Sequence, residues 1–278
     1  MTDLEHAVDT LSRWMADHRR VVALTGAGCS TASGIPDYRD EQGEWKRRPP
    51  VMFQAFRTEE FTYRRYWARA FAGWPRFTAA EPGAAHHALA SWERTGSVAR
   101  LITQNVDGLH QRAGHRDVID LHGRLDVVVC LDCRDRTSRA SVQDAMATTN
   151  ARWNASAATA PDGDADIDAA AIESFEPPRC GRCGGLLKPD VVFFGENVPS
   201  ARYEDARGAV DAADAILVAG SSLMVYSGFR FVRQAHDAGL PIAIVNRGRT
   251  RGDELASLKI EGDVGAVLTE TVVPSVHR

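Results

Sequence analysis

The sequence predicts an α/β fold in which helices cover both faces of a parallel sheet. Short, continuously apolar segments recur along the 278 residues, and segments with helical spacing lie between them. Buried strands that alternate with helices are typical of parallel sheets. Hydrophobic residues make up 44% of the chain and charged residues 25%, as in globular proteins with a full-sized core. A smaller unit with paired cysteines and a helical insertion interrupt the alternation.

The chain opens with a predicted helix and a buried strand. Helical spacing relates the apolar residues Leu4, Ala7, Val8, Leu11, Trp14 and Met15. Acidic residues stand early in this segment and it has no apolar core, so we expect it not to be a signal peptide. The next segment, "RRVVALTGAG" at residues 19–28, has the pattern of a buried strand that ends in a glycine turn.

Further strands and helices continue the alternation. Strands are predicted at 101–103, 118–121, 215–219 and 242–245, and helices at 84–94, 201–212 and 228–238. Polar or glycine-rich residues follow five strands, in "TGAG", "TQNVD", "LHG", "AGSS" and "VNRG". Because ligands of open α/β sheets bind outside the carboxyl ends of the strands, we expect these five ends to line one crevice.

Two segments interrupt this pattern. Residues 40–80 contain no predicted parallel strand, and 126–188 lie around the cysteine pairs. In the first, one helical stripe joins Tyr63, Tyr66, Trp67, Ala70, Phe71 and Trp74. We interpret this stripe as a helix face that packs on the core. The middle of the second, residues 158–178, is acidic and rich in alanine and proline, and is expected to be a solvated loop or a short exposed helix.

Two CxxC pairs predict a metal site. The pairs are Cys130 with Cys133 and Cys180 with Cys183. Four thiolates are typical of a closed, structural zinc site, so we expect one structural zinc ion per chain. The long spacer, residues 134–179, costs only about 0.8 kcal/mol in loop closure, against roughly 10–16 kcal/mol from structural zinc. The fifth cysteine, Cys29, is interpreted as a small buried residue and not a nucleophile.

Charge and cysteine content limit the partners and the compartment. The net charge is −4, from 33 basic and 37 acidic residues, which argues against nucleic acid and anionic lipid as partners. No apolar stretch approaches the roughly 18 residues of a membrane helix. We therefore expect a cytoplasmic protein with reduced cysteines, which favours metal binding over disulfides. The sequence leaves the oligomeric state open.

The glycine turn departs from the usual dinucleotide fingerprint. Gly26 and Gly28 fit GxGxxG, but Thr31 stands at the third glycine, and no second strand follows at the usual distance. The turn still offers the close backbone approach and the amide donors that a pyrophosphate needs. Pro36 then stops a continued helix. The chain is therefore expected to leave the turn as a loop that folds over the cofactor.

Several motifs follow one another in an order that matches a known family. They are "GAGCSTASGIPDYR", "TQNVDGLHQRAG", "LHGRL", the paired CxxC, "KPDVVFFGE", "GSSLMVYS", "VNRG" and "GDV", over residues 23–264. Together they resemble the sirtuins, which are NAD-dependent protein-lysine deacylases. The stretch "RRYWARAFAGWPRF" and the long cysteine spacer resemble the class II branch, which includes the mitochondrial sirtuins of animals.

The resemblance implies a division of the chain. Residues 1–39, 81–125 and 189–278 would form a Rossmann-like NAD-binding domain. Residues 40–80 would form the cofactor loop and a helical insertion, and residues 126–188 a small zinc-binding domain. The NAD site would serve cleavage of the nicotinamide bond and have no redox role.

The implied reaction assigns roles to three residues. The acyl-lysine carbonyl oxygen attacks the anomeric carbon of the nicotinamide ribose, and nicotinamide leaves. A base deprotonates the ribose hydroxyls, the acyl group migrates, and water releases lysine and O-acyl-ADP-ribose. We expect His122 to be this base, because histidine titrates near neutrality and His122 lies just past a strand. Asp107 resembles the acid that holds the nicotinamide amide, and Asn105 the residue that orients the ribose and a water.

The other implied NAD contacts fall in four groups. The glycine turn and its loop supply Gly26, Ala27, Gly28, Ser30, Ile35, Pro36, Asp37, Tyr38 and Arg39. The next strand end supplies Gln104, Asn105, Val106 and Asp107. Phosphate and ribose contacts come from Gly220, Ser221 and Ser222. The adenosine contacts are Asn246, Arg247, Gly248, Asp263 and Val264.

The resemblance also implies a protein substrate. Residues 191–196, "VVFFGE", resemble the segment that pairs with an extended peptide. Its contacts would be Val192, Phe193, Phe194 and Gly195. The expected partner is therefore an acylated lysine in a protein.

The acyl group is the least determined part of the substrate. Tyr66 and Arg69 share a helix face and resemble the Tyr-x-x-Arg pair with which class III sirtuins read the carboxylate of succinyl-type modifications. If they line the acyl channel, acidic chains such as glutaryl or 3-hydroxy-3-methylglutaryl should be preferred to acetyl. The alternative is a core tyrosine beside a surface arginine.

Two other functions share these motifs. Mono-ADP-ribosyl transfer to a protein shares the nicotinamide cleavage, but only acyl migration needs the base His122. A non-catalytic NAD sensor or zinc-binding module is the remaining alternative. The net charge of −4 and the acidic insert at 160–177 argue against a nucleic-acid-binding form.

Overall fold

The computed structural model of the chain gives the bounds of the strands. It describes residues 2–37, 40–42, 44, 46, 51–153 and 167–275. Within them the strands are β1 (Val21–Thr25), β2 (Val98–Thr103), β3 (Val118–Asp120), β4 (Gly123–Cys130), β5 (Arg136–Ser138), β6 (Leu187–Val191), β7 (Ala215–Ala219), β8 (Ile242–Asn246) and β9 (Leu258–Glu261).

The helices of the described residues lie between and after these strands. They are α1 (Asp3–Ala16), α2 (Phe53–Thr58), α3 (Glu60–Thr78), α4 (Ala84–Arg94), α5 (Leu109–Arg112), α6 (Arg139–Thr149), α7 (Ala169–Ser174), α8 (Ser200–Asp211), α9 (Tyr226–Asp237) and α10 (Val264–Glu270). The first helix begins with a capping box, in which the Thr2 hydroxyl accepts from the Glu5 amide and Glu5 accepts from the Thr2 amide.

Six strands form a sheet in the order β3-β2-β1-β7-β8-β9, and every neighbouring pair is parallel. This confirms the predicted α/β class. The predicted strands lie where the sequence placed them, with small shifts at their ends. The edge strand β9 was not predicted, because "LKIE" is short and has only two strongly apolar residues.

Helices cover both faces of this sheet, as predicted. One buried cluster packs α1, α4 and α10 on the alternate residues of β1 and β7 that include Val21 and Leu217. The other packs α8 and α9 on the opposite residues, including Leu24 and Val218. The central strands are buried along their whole length, because both faces are covered.

A second, smaller sheet has the antiparallel order β5-β4-β6. The aromatic stripe of α3 packs on this sheet and on α6, so the core that it covers is separate from that of the large sheet. Tyr63 and Trp67 are fully buried there. The sequence did not predict β4, β5 or α6, because their apolar pattern is short and irregular.

Part of the acidic segment lies outside the described residues, which omit 154–166. In the described part, α7 is a short helix, as one of the two expectations stated. It is not wholly exposed, because Ile172 is buried and the following Phe175 belongs to the cluster of the small sheet.

No helix of the described residues is long and apolar enough to span a lipid bilayer. The two sheets support the proposal that 126–188 forms a small unit and that 1–39, 81–125 and 189–278 form a large one, with 40–80 as the loop and helical insertion.

Candidate active site

The glycine turn after β1 packs directly against the turn after β7. The Gly28 amide donates to the Gly220 carbonyl oxygen (2.8 Å), and the Gly26 amide donates to Ala219 (3.3 Å). A Cβ on Gly28 would lie 2.9 Å from the Gly220 Cα, and Gly220 has a φ of +63°. Only glycine fits this contact, so the two turns form one rigid unit with little side-chain bulk.

The chain beyond the glycine turn leaves the path of a dinucleotide-binding helix, as predicted. It forms two short 3₁₀ turns, Ala27–Cys29 and Thr31–Ser33, and the second ends at Gly34 with a φ of +81°. Residues 35–37 then have no regular structure. Tyr38 and Arg39, which the sequence predicted as NAD contacts, lie outside the described residues.

Ser30 connects the first strand end to the second. Its hydroxyl donates to Asp107 Oδ2 (2.7 Å) and accepts from the side-chain amide of Asn105 (3.0 Å). The Asn105 amide also donates to the Gly26 carbonyl oxygen (3.0 Å), and Asp107 Oδ1 accepts from the Leu109 amide (2.9 Å). These bonds hold the predicted pair Asn105 and Asp107 in one orientation.

A buried histidine fixes the direction of the Ser30 proton. His86 Nδ1 accepts from the Gly83 amide (3.0 Å), so the neutral ring carries its proton on Nε2 and donates to Ser30 Oγ (3.3 Å). Burial lowers the pKa of His86 to about 4, which keeps the ring neutral at physiological pH. With His86 and Asn105 both donating to Ser30, its own proton is directed to Asp107.

His122 follows β3 and lies at the carboxyl end of the sheet. Its Nδ1 is 2.9 Å from the Gln104 carbonyl oxygen, and its Nε2 is 2.7 Å from Ser227 Oγ. A carbonyl can only accept, so Nδ1 carries the proton and the Nε2 lone pair faces Ser227 in the neutral ring. Burial lowers the pKa of His122. The ring is therefore neutral near pH 7, with a proton-accepting nitrogen directed to one side.

The segment predicted to hold the substrate lies beside His122. The Val192 amide donates to the His122 carbonyl oxygen (2.8 Å), directly after β6. The Phe193 amide donates to Glu196 Oε2 (2.7 Å), and the same oxygen pairs with Lys188 Nζ (3.0 Å). The start of the segment is thus fixed by one backbone bond and one partly buried ion pair.

The end of this segment is a turn and not a strand. Phe194 makes an isolated bridge to Met52, and its carbonyl oxygen accepts from the Phe53 amide (2.8 Å). Gly195 follows with a φ of +88°. The segment that resembles the peptide-pairing one is therefore a short extended link between β6 and the turn at Gly195.

The predicted phosphate and adenosine contacts lie past β7 and β8. Ser221 Oγ donates to Gln104 Oε1 (2.6 Å). Arg247 Nη2 is 3.3 Å from Asp263 Oδ2, in an exposed ion pair. Gly248 is packed against the backbone of Glu41, because a Cβ there would lie 2.5 Å from the Glu41 carbonyl oxygen.

One large cavity of 2020 Å³ gathers these groups. Its lining includes His122 and each described residue predicted to bind NAD or substrate, except Gly248. It exceeds the about 300–1,000 Å³ of a typical small-molecule pocket, so it has room for a dinucleotide and a peptide side chain together. The strand-end wall of the cavity comprises Gly28, Asn105, His122, Ser221 and Asn246. The helical wall comprises Tyr66, Arg69 and Trp74 of α3 and Arg139 of α6.

Ser227 and Arg139 are two of the lining residues that the sequence did not predict. Ser227 lies in the motif "GSSLMVYS", but its contact with His122 joins positions 105 apart in the chain. Arg139 has no recognisable signal in sequence, because it belongs to the unpredicted helix α6. Tyr66 and Arg69 do line the cavity, as their expected role requires.

The four paired cysteines meet at one point. Their Sγ atoms lie within 4.8 Å of one another, with Cys130 and Cys183 3.5 Å apart and Cys133 and Cys180 3.7 Å apart. Thiolates that surround a zinc ion tetrahedrally at about 2.3 Å stand about 3.8 Å from each other. The residues therefore fit one zinc ion with four thiolate ligands. Cys29 is buried elsewhere, and burial raises its pKa to about 12.

Comparison with known families identifies this arrangement. The model of the Sir2 family matches residues 26–227. The chain belongs to the Sir2 family. Its curated sirtuin relatives include "NAD-dependent protein deacetylase 2" of Bradyrhizobium diazoefficiens, 56% identical over 96% of this chain and 98% of that protein. "NAD-dependent protein deacetylase" of Xanthomonas axonopodis pv. citri is 60% identical over 92% and 88%.

An animal sirtuin and solved sirtuin structures are also similar. "NAD-dependent protein lipoamidase sirtuin-4, mitochondrial" of Bos taurus is 46% identical over 94% of this chain and 84% of that protein, which supports the class II resemblance. A Sir2 structure with a p53 peptide and NAD⁺ has a TM-score of 0.74 and 31% identity, over 94% of this chain and 95% of that one. A Sir2 structure with a propionylated peptide has a TM-score of 0.73 at the same identity and coverage.

Proposed function

We propose that this sirtuin is an NAD-dependent protein-lysine deacylase, which cleaves nicotinamide from NAD and transfers the acyl group to ADP-ribose. One observation carries the proposal. The same cavity is lined by the glycine turns, by the Asn105 and Asp107 pair, and by a neutral histidine beside a peptide-like segment. The names of the bacterial relatives and the solved complexes with NAD and acylated peptide support it.

The glycine turns and the Ser30 network supply the NAD site in this proposal. The tight contact of Gly28 with Gly220 leaves backbone amides close to the cavity, where they suit a pyrophosphate. Asp107 would hold the nicotinamide amide, and Asn105 would orient the ribose and a water. Their fixed geometry means that little ordering is needed when NAD binds.

His122 would act as the base. Its Nε2 accepts from Ser227, so a ribose hydroxyl must replace that donor before a proton is transferred. The Nδ1–H bond to the Gln104 carbonyl keeps the ring in this tautomer and stabilises the imidazolium that forms. The residue therefore has both the direction and the protonation state that the role requires.

The protein substrate would approach along residues 192–195. Val192 is bonded to the backbone of His122, so a peptide held by this segment places its acyl-lysine next to the proposed base. We propose that the substrate is an acylated lysine on a flexible part of another protein, and that the enzyme works in the cytoplasm. Reduced cysteines, as a four-thiolate zinc site needs, are consistent with that compartment.

The zinc ion would have a structural role. Four thiolates leave no position for a catalytic water. The two CxxC turns have matching backbone bonds, from Arg134 N to Cys130 O (3.1 Å) and from Gly184 N to Cys180 O (2.8 Å). Metal held by these turns joins the ends of β4 and β6.

Mass spectrometry of the reaction products tests the proposal. The purified protein is incubated with NAD and a panel of peptides that carry acetyl, butyryl, glutaryl or lipoyl lysine. We expect free lysine peptide, nicotinamide and O-acyl-ADP-ribose in equal amounts. A peptide that gains ADP-ribose would instead support mono-ADP-ribosyl transfer. Absence of nicotinamide release with every peptide would overturn the enzymatic proposal and leave a binding module.

A further inference from the structure

Arg139 is a buried cation in the helical wall of the cavity. It is the first residue of α6, and only 3% of its surface is exposed. Its guanidinium lies over the rings of Trp74 (4.5 Å) and Trp67 (5.4 Å), and Nη2 donates to the Ala70 carbonyl oxygen (3.0 Å). The side chain is therefore held in one place and reaches the cavity lining.

The charge of Arg139 is not neutralised by the described chain. Nη1 is buried and has no hydrogen-bond partner among the described residues. Burial lowers the pKa of Arg139 to about 10, and the neighbour that raises it is the Tyr66 phenol, not a carboxylate. A buried charge without an ionic partner is costly, and the two tryptophan rings offset only part of that cost.

The position of Arg139 on its helix adds to this cost. A cation in the first turn of a helix is repelled by the positive end of the helix dipole. The N-cap Ser138 is occupied with the Ser141 amide (3.0 Å) and offers the guanidinium no acceptor. An anion placed beside Nη1 would relieve the missing hydrogen bond, the uncompensated charge and the unfavourable dipole together.

A continuous aromatic path connects this cation with the proposed substrate segment. Phe193 contacts Tyr66 with ring centres 5.2 Å apart, and Tyr66 contacts Trp67 at 5.6 Å. Trp67 in turn lies under Arg139. Trp67 itself is fully buried, but Phe193, Tyr66 and Trp74 line the cavity. An acyl chain that leaves the lysine at Phe193 therefore meets aromatic surface along its length and the guanidinium over Trp74 at its end.

We propose that Arg139 binds the terminal carboxylate of a dicarboxylic acyl chain, such as glutaryl, and thereby selects acidic acyl-lysine substrates. This proposal rests on the proposed deacylase function. The aromatic rings can contact the methylene groups of such a chain, and the N–H groups of Nη1 can donate to one carboxylate oxygen. Arg139 would act as a specificity residue and take no part in proton transfer.

The decisive measurement compares two peptides that differ in charge alone. One carries glutaryl-lysine, and the other carries the same chain with a terminal amide in place of the carboxylate. For the wild-type enzyme we expect a higher kcat/KM with the acid. Arg139→Gln should lower kcat/KM for the acid about 10- to 150-fold, the loss typical of one charge-assisted bond, and change that for the amide and for acetyl-lysine less than threefold.

Control variants separate this role from a structural one. Arg152→Gln removes an equal charge from the exposed surface just after α6 and should leave both peptides unaffected. Arg139→Lys keeps the charge but loses the planar guanidinium, so we expect an intermediate loss of kcat/KM for the glutaryl peptide only. If the melting temperature shows that Arg139→Gln does not fold, the comparison of Arg139→Lys with the wild-type enzyme tests the proposal.

Two results would overturn the proposal. One is a wild-type enzyme that treats acid and amide alike, and the other is an unchanged acid-to-amide ratio in folded Arg139 variants, whether kcat/KM falls equally for both peptides or not at all. Failure of the deacylase function itself looks different, because the wild-type enzyme would then release no nicotinamide with any acylated peptide, acetyl-lysine included.

Discussion

The two walls of the cavity are built in opposite ways. The strand-end wall is made of backbone amides, small residues and short polar side chains that follow parallel strands, and its groups bond to one another within a few residues of each strand end. The helical wall is made of large aromatic and cationic side chains from α3 and α6, which meet only because the small sheet brings those helices together.

This difference assigns different tasks to the walls. Groups fixed by the backbone suit the invariant part of the reaction, in which NAD is held and a proton is removed. Long side chains that can be exchanged without moving a strand suit the variable part, the acyl group. Substitutions in the helical wall should therefore change the acyl preference, and substitutions in the strand-end wall should reduce the rate of the reaction.

Removal of the metal site should have the largest effect and should damage the walls unequally. In Cys130→Ser we expect the loss of zinc and a fall in melting temperature, since structural zinc contributes roughly 10–16 kcal/mol to folding. Because α6 packs on the small sheet, acyl-peptide turnover should fall more than NAD affinity. Elemental analysis, calorimetry and NAD titration measure the three effects. Cys29→Ala serves as the control that keeps its zinc, and stoichiometric zinc in Cys130→Ser would contradict the four-thiolate site.

Loss of the base should strongly reduce deacylation and leave NAD binding intact. His122→Ala is expected to lower turnover about 10²- to 10⁴-fold, the usual contribution of a general base. NAD affinity should stay within a few-fold, because the Gly28, Asn105 and Ser221 contacts do not involve the imidazole. Peptide deacylation and NAD titration are measured on the same sample. More than a tenth of wild-type turnover in the variant would exclude His122 as the base.

A substitution in the helical wall should instead change the acyl preference and leave deacetylation nearly unchanged. Arg69→Met is expected to lower kcat/KM for acidic acyl peptides about 10- to 150-fold, through one charge-assisted bond, and to change acetyl-lysine turnover little. Glutaryl and acetyl forms of one peptide provide the comparison. Equal losses on both, or no loss on either, would show that Arg69 does not read the acyl group.

The smallest effect concerns pH. Burial lowers the pKa of His122 below its ordinary value of 6.5. The neutral, proton-accepting form is present above the pKa, so lowering the pKa extends activity to more acidic solution. The acid limb of the pH profile of kcat/KM should therefore have its midpoint below pH 6.5. A midpoint above that value would mean that a different group limits the rate, or that ligand binding exposes the ring.

The strand-end wall could be predicted from sequence, and the helical wall only in part, because Tyr66 and Arg69 were predicted and Arg139 was not. His122, Asn105 and Asp107 each follow an apolar run directly, so a local pattern was enough to bring them to one edge of the sheet. The contact of Ser30 with His86, by contrast, joins a turn to a helix 56 residues away. Arg139 meets Trp74 only through the packing of α3 on the small sheet. No local pattern encodes such contacts, because they depend on how separate elements pack.

The zinc site could be predicted from sequence only in part. The spacing of the cysteines was sufficient to predict it, since CxxC forms the same turn wherever it occurs. The antiparallel pairing of β4 with β6 was not predicted, although it is the pairing that brings the two turns within reach of one ion.

The connection between the two sheets has a mechanical consequence. Only Leu121 and His122 separate β3 from β4, and the returning chain crosses at Val192, which is bonded to His122. These two crossings therefore lie side by side, with His122 at both of them. If the small sheet rotated about this point, the helical wall that packs on it would move, whereas the imidazole at the crossing would stay in place. A substitution or ligand that shifts the helical wall should therefore leave the proton-accepting atom where it is.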